Sequence, residues 1–318
     1  MFSLIKKLQL MLSNLKKNKG LFFTIITVLS ISGIVLFMYL IMTMTSSIKQ
    51  DVYTSIANKS SQSIDNLLKS HKELYNDLAK IVIAQNETIN AIKSVNQNNI
   101  TNLETKYNKL FDNKTKYPII FNFYSSLNPN ANYRSTINNL LRSKSEVYGI
   151  ETQASGVYIT YVKPVYEKNK NFIGLIEIKQ SIHSIKKYYE MQDSLFMFMM
   201  HKKMLVKLSL KVKTGKFKSV VGPYIVKQGN YSSRFYSTLS EMDEKTFKHS
   251  LKVKYDNDEK YFRSYKQVTD INGLDIGLFV FADRIEKNDG FVALVDKMVK
   301  SVTYVSLGLV ISILLFMF

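Results

Sequence analysis

Two arginines in the first half of the chain have the type and spacing of an anion clamp. Arg134 and Arg142 lie eight residues apart, close to two turns of a helix predicted over 133–143, so their side chains are expected on similar faces. Arginine stays charged and offers a planar fork of donors that suits a carboxylate. The alternative is that both arginines are solvated on a surface helix, and the sequence leaves the two interpretations open.

Three more polar side chains belong to the hairpin predicted after this helix. Tyr158 and Tyr161 fall on opposite faces of a strand predicted over 157–166, so at most one of them lines a given pocket. Glu177 lies in the apolar strand 172–179, where a carboxylate either faces solvent or is buried against a partner, and we favour the solvent face. These three residues join the two arginines as candidate ligand-binding side chains.

The sequence indicates a binding protein rather than an enzyme. It contains no cysteine, which excludes disulfides, thiolate metal sites and cysteine nucleophiles. Its four histidines are far apart and match no metal-ligand spacing, and there is no glycine-rich phosphate loop. We therefore expect no catalytic residue, no metal and no cofactor.

Two apolar segments predict membrane-spanning helices near the two ends of the chain. The segment 21–44 has no charged residue and is long enough to cross a bilayer, and 301–318 is just long enough. A cleaved signal peptide is the alternative for the first segment, but its apolar core would be shorter and 43–47 is a poor cleavage site. Five lysines precede 21–44, which predicts a cytoplasmic N-terminus and an extracytoplasmic main domain on a bacterial inner membrane.

The formal net charge of +19 does not predict a nucleic-acid partner. Only five of the 44 basic residues are arginines, and the lysines are scattered along the chain rather than clustered. Abundant lysine, asparagine and isoleucine are typical of an AT-rich genome, which accounts for the charge more simply than a phosphate-binding surface does.

The region between the spans begins with a predicted long helix and continues with strands. From residue 45 to about 110 there is no proline or glycine, and apolar residues recur at helical spacing. Strands with intervening turns, at 128–130 and 270–273 among others, follow Pro118. The predicted strands are 119–124, 157–166, 172–179, 195–200, 204–211, 250–255, 260–268 and 276–282.

The two predicted hairpins match one another at an offset of 103 residues. Seven of the 21 positions from 158 to 178 are identical to their counterparts, and Gly174 coincides with Gly277. Shared strand propensity alone could match tyrosine, valine and isoleucine. Glycine is disfavoured inside strands unless the backbone requires it, so the coincidence favours an internal repeat and two related modules.

Short motifs around the first hairpin resemble the double-Cache sensory domains of bacterial receptors. The motifs are Tyr148-Gly149-Ile150-Glu151, Gly156-Val157-Tyr158, Pro164-Val165-Tyr166 and Ile173-Gly174-Leu175-Ile176-Glu177. The resemblance implies an α+β fold, with a long N-terminal helix and two tandem Cache-like (PAS-like) antiparallel-sheet modules flanked by two transmembrane helices. It also implies that a small organic molecule is sensed in the membrane-distal module of a chemoreceptor, sensor kinase or diguanylate cyclase.

The predicted organisation follows from the spans, the repeat and this resemblance. We expect a ligand pocket between the helix 133–143 and the first sheet, a carboxylate-bearing ligand, and a homodimer formed through the long helix and the transmembrane helices. We also expect no cytoplasmic output domain, which leaves an anchored structural or transport-accessory protein as the alternative function. The predicted regions are the cytoplasmic N-terminus 1–20, the first span 21–44, the long helix 45–117, the first module 118–190, the second module 191–283, a return helix 284–300 and the second span 301–318.

Overall fold

Helices and two antiparallel sheets make up the protein, which is of the α+β class. The computed structural model describes residues 19–94, 96–112, 116–128, 133–285 and 291–317. The helices are α1 (Lys19–Ile83), α2 (Asn86–Lys93), α3 (Gln97–Leu110), α4 (Ser135–Ser143), α5 (Ile185–Met191), α6 (Leu210–Lys213), α7 (Ser233–Ser240), α8 (Glu244–Val253) and α9 (Phe291–Met317). The strands are β1 (Ile119–Ser125), β2 (Val147–Gln153), β3 (Gly156–Tyr166), β4 (Phe172–Ser181), β5 (Leu195–His201), β6 (Phe217–Ser219), β7 (Tyr224–Lys227), β8 (Tyr255–Asn257), β9 (Tyr261–Thr269) and β10 (Asp275–Arg284). Two 3-10 segments are Ile182–Ser184 and Lys202–Lys207.

The described residues divide into two compact units. One holds the first part of α1 together with α9, and the other, Ile56–Arg284, holds both sheets. Among the described helices, only the stretch Thr27–Ile83 of α1 is found to be long and apolar enough to cross a membrane. The second predicted span falls on α9, which is helical, and its insertion in a membrane stays a prediction.

The long helix is shorter than the sequence predicts. It ends at Ile83, and α2 and α3 follow as separate helices. Gln85 has an extended backbone immediately before α2, and the Asn96 side chain accepts a hydrogen bond from the Asn98 backbone N–H at the start of α3. Asparagine favours such caps over helix interiors because its side chain competes for backbone donors, so a helix restarts here where apolar spacing alone predicts continuity.

The two sheets share a strand order. The first is β1-β4-β3-β2, and the second is β6-β7-β5-β10-β9-β8, in which β5-β10-β9-β8 repeats the first arrangement. The two matched hairpins therefore lie in separate sheets at corresponding positions. The second sheet is extended beyond β5 by the short strands β6 and β7.

The paired glycines are required by close approach of a neighbouring strand. A Cβ atom on Gly174 would lie 2.0 Å from the Tyr124 carbonyl oxygen, and one on Gly277 would lie 2.2 Å from the Met199 carbonyl oxygen. No side chain fits at such distances without a shift of backbone. The same constraint in both sheets explains why the glycines coincide in the sequence match.

Alternating side chains place the first sheet between two helical layers. On one face Tyr161 and Ile176 are buried in the same apolar cluster as Tyr75 of α1. On the other face Val162 and Leu175 pack against α4 through Ile137 and Leu140. The sheet is thus covered on both faces, and α4 lies over the face that carries the polar residues described below.

Two predicted strands are wrong. The region 204–211 forms the 3-10 segment Lys202–Lys207 and α6, because its buried residues Met204 and Leu208 are four apart, as on a helical turn. The region 250–255 instead belongs mainly to α8, whose N-terminus is capped by the Asp243 carboxylate. The predicted turn at 128–130 includes residues outside those described.

The remaining predicted strands are confirmed with small shifts of their ends. Strand β5 is buried along most of its length, as its continuous apolar run predicts. The turn before β10 is also confirmed, because Gly273 has a φ of 78° and Asp270 accepts hydrogen bonds from the backbone of Asn272 and Leu274.

Candidate functional site

A buried charge cluster lies between α4 and the first sheet. Its side chains come from one face of the strands, because residues two apart on a strand point the same way. Strand β1 supplies Asn122 and Tyr124, β2 supplies Glu151 and Gln153, β4 supplies Glu177 and Lys179, and Arg134 comes from the position that precedes α4.

Glu177 is the centre of this cluster. Its side chain is 0% exposed, and one carboxylate oxygen accepts from Arg134 Nη2 at 2.6 Å. The same oxygen accepts from Gln153, while the other accepts from Asn122 at 2.8 Å and from the Tyr124 hydroxyl at 2.7 Å. The expectation that Glu177 faces solvent is therefore wrong, since a buried carboxylate is tolerated when this many donors and a cation surround it.

Arg134 joins the helix to the sheet. Its guanidinium donates to Glu151 Oε1 through Nε at 3.2 Å, and Nη1 donates to the Tyr124 hydroxyl at 2.9 Å. The residue has an extended backbone at the N-cap position, so its side chain extends from the end of α4 rather than from its side. The Thr136 hydroxyl also donates to Glu151, at 2.6 Å, which fastens the first turn of α4 to the same carboxylate.

Lys179 completes the cluster on the side away from Arg134. Its ammonium donates to Gln153 Oε1 at 2.7 Å, lies 3.8 Å from Glu177 and stands 4.9 Å from the centre of the Tyr158 ring. Two cations, Arg134 and Lys179, therefore face the carboxylates of Glu151 and Glu177, and the Glu104 carboxylate also interacts with Lys179. Thr160 lies opposite Lys179 in the sheet, and its buried hydroxyl has no hydrogen-bond partner among the described residues.

The electrostatics of the cluster keep Glu177 ionised. Burial alone would raise the pKa of Glu177, but Lys179, Arg134 and the hydrogen bonds outweigh it and hold the pKa below its ordinary value of 4.5. Burial lowers the pKa of Lys179, and Glu177 opposes that effect. The ion pairs are thus part of the folded state at neutral pH.

Within the cluster, Glu177 is inaccessible to solvent and Arg134 is partly exposed. The Arg134 side chain is 26% exposed, whereas Glu177 is fully covered. Solvent or a small molecule reaches the guanidinium first. A carboxylate arriving there would compete with Glu151 for the same donors, because a guanidinium has five N–H groups in fixed directions. In the described part of the chain, no group of three or more His, Cys, Asp or Glu residues is placed so that it could hold a metal ion.

The structure separates the sequence-predicted site residues. Arg134 and Glu177 meet in the cluster, and Tyr158 lies beside it under Lys179. Tyr161 projects from the opposite face, where its hydroxyl donates to Asn76 of α1 at 3.0 Å, which confirms that the two tyrosines alternate. Arg142 is exposed near the end of α4, whereas Arg134 enters the cluster, so the expectation that the two side chains share one face of a helix is wrong. The helix begins one residue after Arg134, which removes the eight-residue helical spacing on which that expectation depended.

Several residues of the cluster are missed by the sequence analysis. Asn122 and Tyr124, like Glu177 and Lys179, are polar pairs two apart in otherwise apolar strands. Such pairs mark one polar face on a strand that is buried on both sides. Glu151 lies in a strand that the sequence does not predict, so its contribution had no such signal.

Comparisons with known proteins find distant likenesses in structure alone. No family model matches the chain, and no curated protein sequence matches it. A domain of a putative sensory box/GGDEF family protein from Vibrio parahaemolyticus is 9% identical with a TM-score of 0.41, covering 75% of this chain and 98% of that one. The sensor domain of the V. cholerae histidine kinase DctB is 11% identical with a TM-score of 0.35, covering 72% and 97%.

A chemoreceptor domain gives a similar result. The ligand-binding domain of the Pseudomonas aeruginosa PAO1 amino acid chemoreceptor PctC, solved in complex with GABA, is 12% identical with a TM-score of 0.35, covering 74% of this chain and 98% of that one. Likenesses at these TM-scores assign no ligand and no site to this chain.

Proposed function

We propose that the chain is the extracytoplasmic sensing region of a bacterial transmembrane receptor, of the chemotaxis or two-component type. In this proposal the unit Ile56–Arg284 lies outside the membrane and binds a small carboxylate-bearing molecule. The protein binds its ligand without catalysis and works as a homodimer. The buried charge cluster beneath α4 is the observation that carries the proposal.

Buried charges contribute little net stability to the contact between α4 and the sheet. Two buried ion pairs seldom stabilise a fold more than apolar residues of the same volume would, because each charge loses its hydration. Apolar packing of Ile137 and Leu140 already holds α4 against the sheet. A set of partly accessible charges beside this packing is better explained by exchange with a ligand than by stability.

A carboxylate ligand would use the chain's own donors. It would pair with Arg134 in place of Glu151, whose carboxylate would keep the Gln153 and Thr136 donors. Since Thr136 and Arg134 are both at the start of α4, such an exchange alters the contacts that position this end of the helix. A ligand that also carries an ammonium group would interact favourably with the released Glu151.

The first sheet is directly connected to the helix that leads toward the predicted membrane span. The Tyr148 hydroxyl donates to the Leu68 carbonyl oxygen of α1 at 2.5 Å, and Tyr161 and Lys163 both donate to Asn76. These contacts supply a route by which a change in the sheet reaches α1. Exposed apolar residues on α1, Leu74 and Ile81, are seven apart and suit the proposed helix contact in a homodimer.

Thermal unfolding of the full chain in lipid nanodiscs tests this proposal. Amino acids, dicarboxylic acids and polyamines are added separately, and a ligand of the folded state raises the unfolding temperature. We expect stabilisation by at least one carboxylate-bearing compound and loss of that effect in Arg134→Met, with retention in the exposed-residue control Arg142→Met. Equal stabilisation of both variants would contradict the assignment of the cluster, and stabilisation by polyamines alone would contradict the ligand class.

A further inference from the structure

A cavity lies apart from the buried charge cluster and is lined by elements of both sheets. Its volume is about 420 Å³, within the range of pockets that hold small organic molecules. The beginning of β3 and the end of β4 form one wall, and β5, α6 and β6 form the other. The Tyr158 ring lies between this cavity and Lys179, so the cavity has its own lining rather than sharing that of the cluster.

The interior of the cavity is apolar. Val157, Phe198, Met200 and Leu208 line it and are all buried. Leu208 follows the 3-10 segment Lys202–Lys207, and Phe198 and Met200 alternate with residues that face the opposite side of β5. These walls suit an aromatic or aliphatic body without polar substituents.

The charge around the cavity is one-sided. Lys116, Lys227 and His183 line it, and none of its described lining residues is Asp or Glu. Lys116 donates to the Gly229 carbonyl oxygen at 3.0 Å and retains two further donors. Lys227 is half-buried and forms no ion pair with any residue that the structure describes.

Burial and this excess positive charge together lower the pKa values of Lys227 and His183. Burial lowers the pKa of Lys227, and Lys216 and Lys116 lower it further. Burial lowers the pKa of His183 to about 3, with additional effects from Lys227, Lys116 and Lys186. The imidazole is therefore neutral at physiological pH, and the two lysines are the charges available to a ligand.

We propose that this cavity is a second binding site, for a small organic anion whose carboxylate meets Lys116 and Lys227 and whose apolar body fills the interior. This inference does not rest on the sensing proposal, because the buried charge cluster contains carboxylates that pair with its cations, whereas none of the described residues lining this cavity is Asp or Glu. An anion supplies the charge that the lining lacks, whereas an amine would add to the repulsion between the lysines.

Three phenylpropyl compounds of equal length test the proposal by isothermal titration of the full chain in lipid nanodiscs. They are 3-phenylpropionate, the neutral 3-phenylpropan-1-ol and the cationic 3-phenylpropylamine. We expect the acid to bind about tenfold more tightly than the alcohol, since one charge-assisted hydrogen bond raises the affinity by about that factor. We expect the amine not to bind. Equal affinity for acid and alcohol, or no binding of the acid at about 10 mM, would overturn the proposal.

Lysine variants locate the site. Lys227→Met should weaken the acid about tenfold and leave the alcohol unchanged, whereas Lys168→Met, an exposed lysine in the β3–β4 turn, should change neither. Val212→Trp, which fills a half-buried part of the lining, should abolish binding of both and provides a second variant should Lys227→Met fail to fold. Identical affinities in Lys227→Met and Lys168→Met would refute the site. Arg134→Met, which alters the buried charge cluster, should leave the affinity for the acid unchanged, because no residue of that cluster lines the cavity. Failure of the cavity to bind the acid therefore leaves the sensing proposal standing.

Discussion

Replacement of Arg134 by methionine removes one cation from the buried charge cluster and keeps an unbranched apolar stem in its place. Glu177 would stay fully buried with its three neutral donors, and Lys179 would remain 3.8 Å away. Breaking a buried ion pair typically costs about 3–5 kcal/mol. The remaining partners and the partial exposure of Arg134 reduce this, so we expect the free energy of unfolding to fall by about 2–4 kcal/mol.

The assay is urea unfolding of the full chain in lipid nanodiscs, followed by circular dichroism. Arg142→Met on the same helix is the matched control and should change stability by less than about 0.5 kcal/mol, because that side chain is exposed. The double variant Arg134→Met/Glu177→Gln should be more stable than Arg134→Met alone, since it no longer buries a carboxylate that has lost its closest cation. Equal losses in the two arginine variants, or a double variant that is simply additive, would refute the reasoning.

Three further predictions concern the strand contact and the titrating groups. Gly174→Ala should lower the free energy of unfolding by more than about 2 kcal/mol, because its Cβ would meet the Tyr124 carbonyl oxygen at 2.0 Å; an unchanged urea midpoint would contradict this. Because the pKa of Glu177 is below 4.5 in the folded state, wild-type stability should fall as pH drops below 4.5 and Glu177→Gln should flatten that decline. Burial lowers the pKa of His183 from 6.5 to about 3, so the unfolded chain binds the proton first as pH falls; stability should therefore decrease by up to about 1.4 kcal/mol for each pH unit lowered from 6.5 toward 3, and His183→Asn should remove this slope. Parallel pH profiles for variant and wild type would contradict either titration prediction.

The sequence predicts the sheets better than it predicts the helices. Alternation and β-branched residues identify the hairpins that become β3–β4 and β9–β10, and the coinciding glycines identify their equivalence. The long helix is overestimated because apolar spacing persists across Gln85 and Asn96, where the backbone is extended and a new helix begins. A single capping hydrogen bond, such as that from the Asn98 N–H to the Asn96 side chain, leaves no signal in the spacing of apolar residues.

The site could be predicted only in part, for a geometric reason. The sequence places an arginine near a short helix and a carboxylate in an apolar strand, and these are Arg134 and Glu177. It could not show that they are paired with one another, because the pairing depends on where α4 begins and on which face of β4 that helix covers. The helix α4 begins at Ser135 rather than at 133, so Arg134 lies at its N-cap and enters the cluster, whereas Arg142 is exposed.

The titration of a stabilising carboxylate ligand into three proteins tests the central claim most directly. Wild type, Arg134→Met and Arg142→Met are compared as full chains in lipid nanodiscs by calorimetry, with the compound that most raises the unfolding temperature. If the ligand pairs with Arg134, its affinity should fall about tenfold to a hundredfold in Arg134→Met, as expected for one charge-assisted contact, and stay at the wild-type value in Arg142→Met. Equal affinity for Arg134→Met and wild type would show that the buried charge cluster only holds α4 in place.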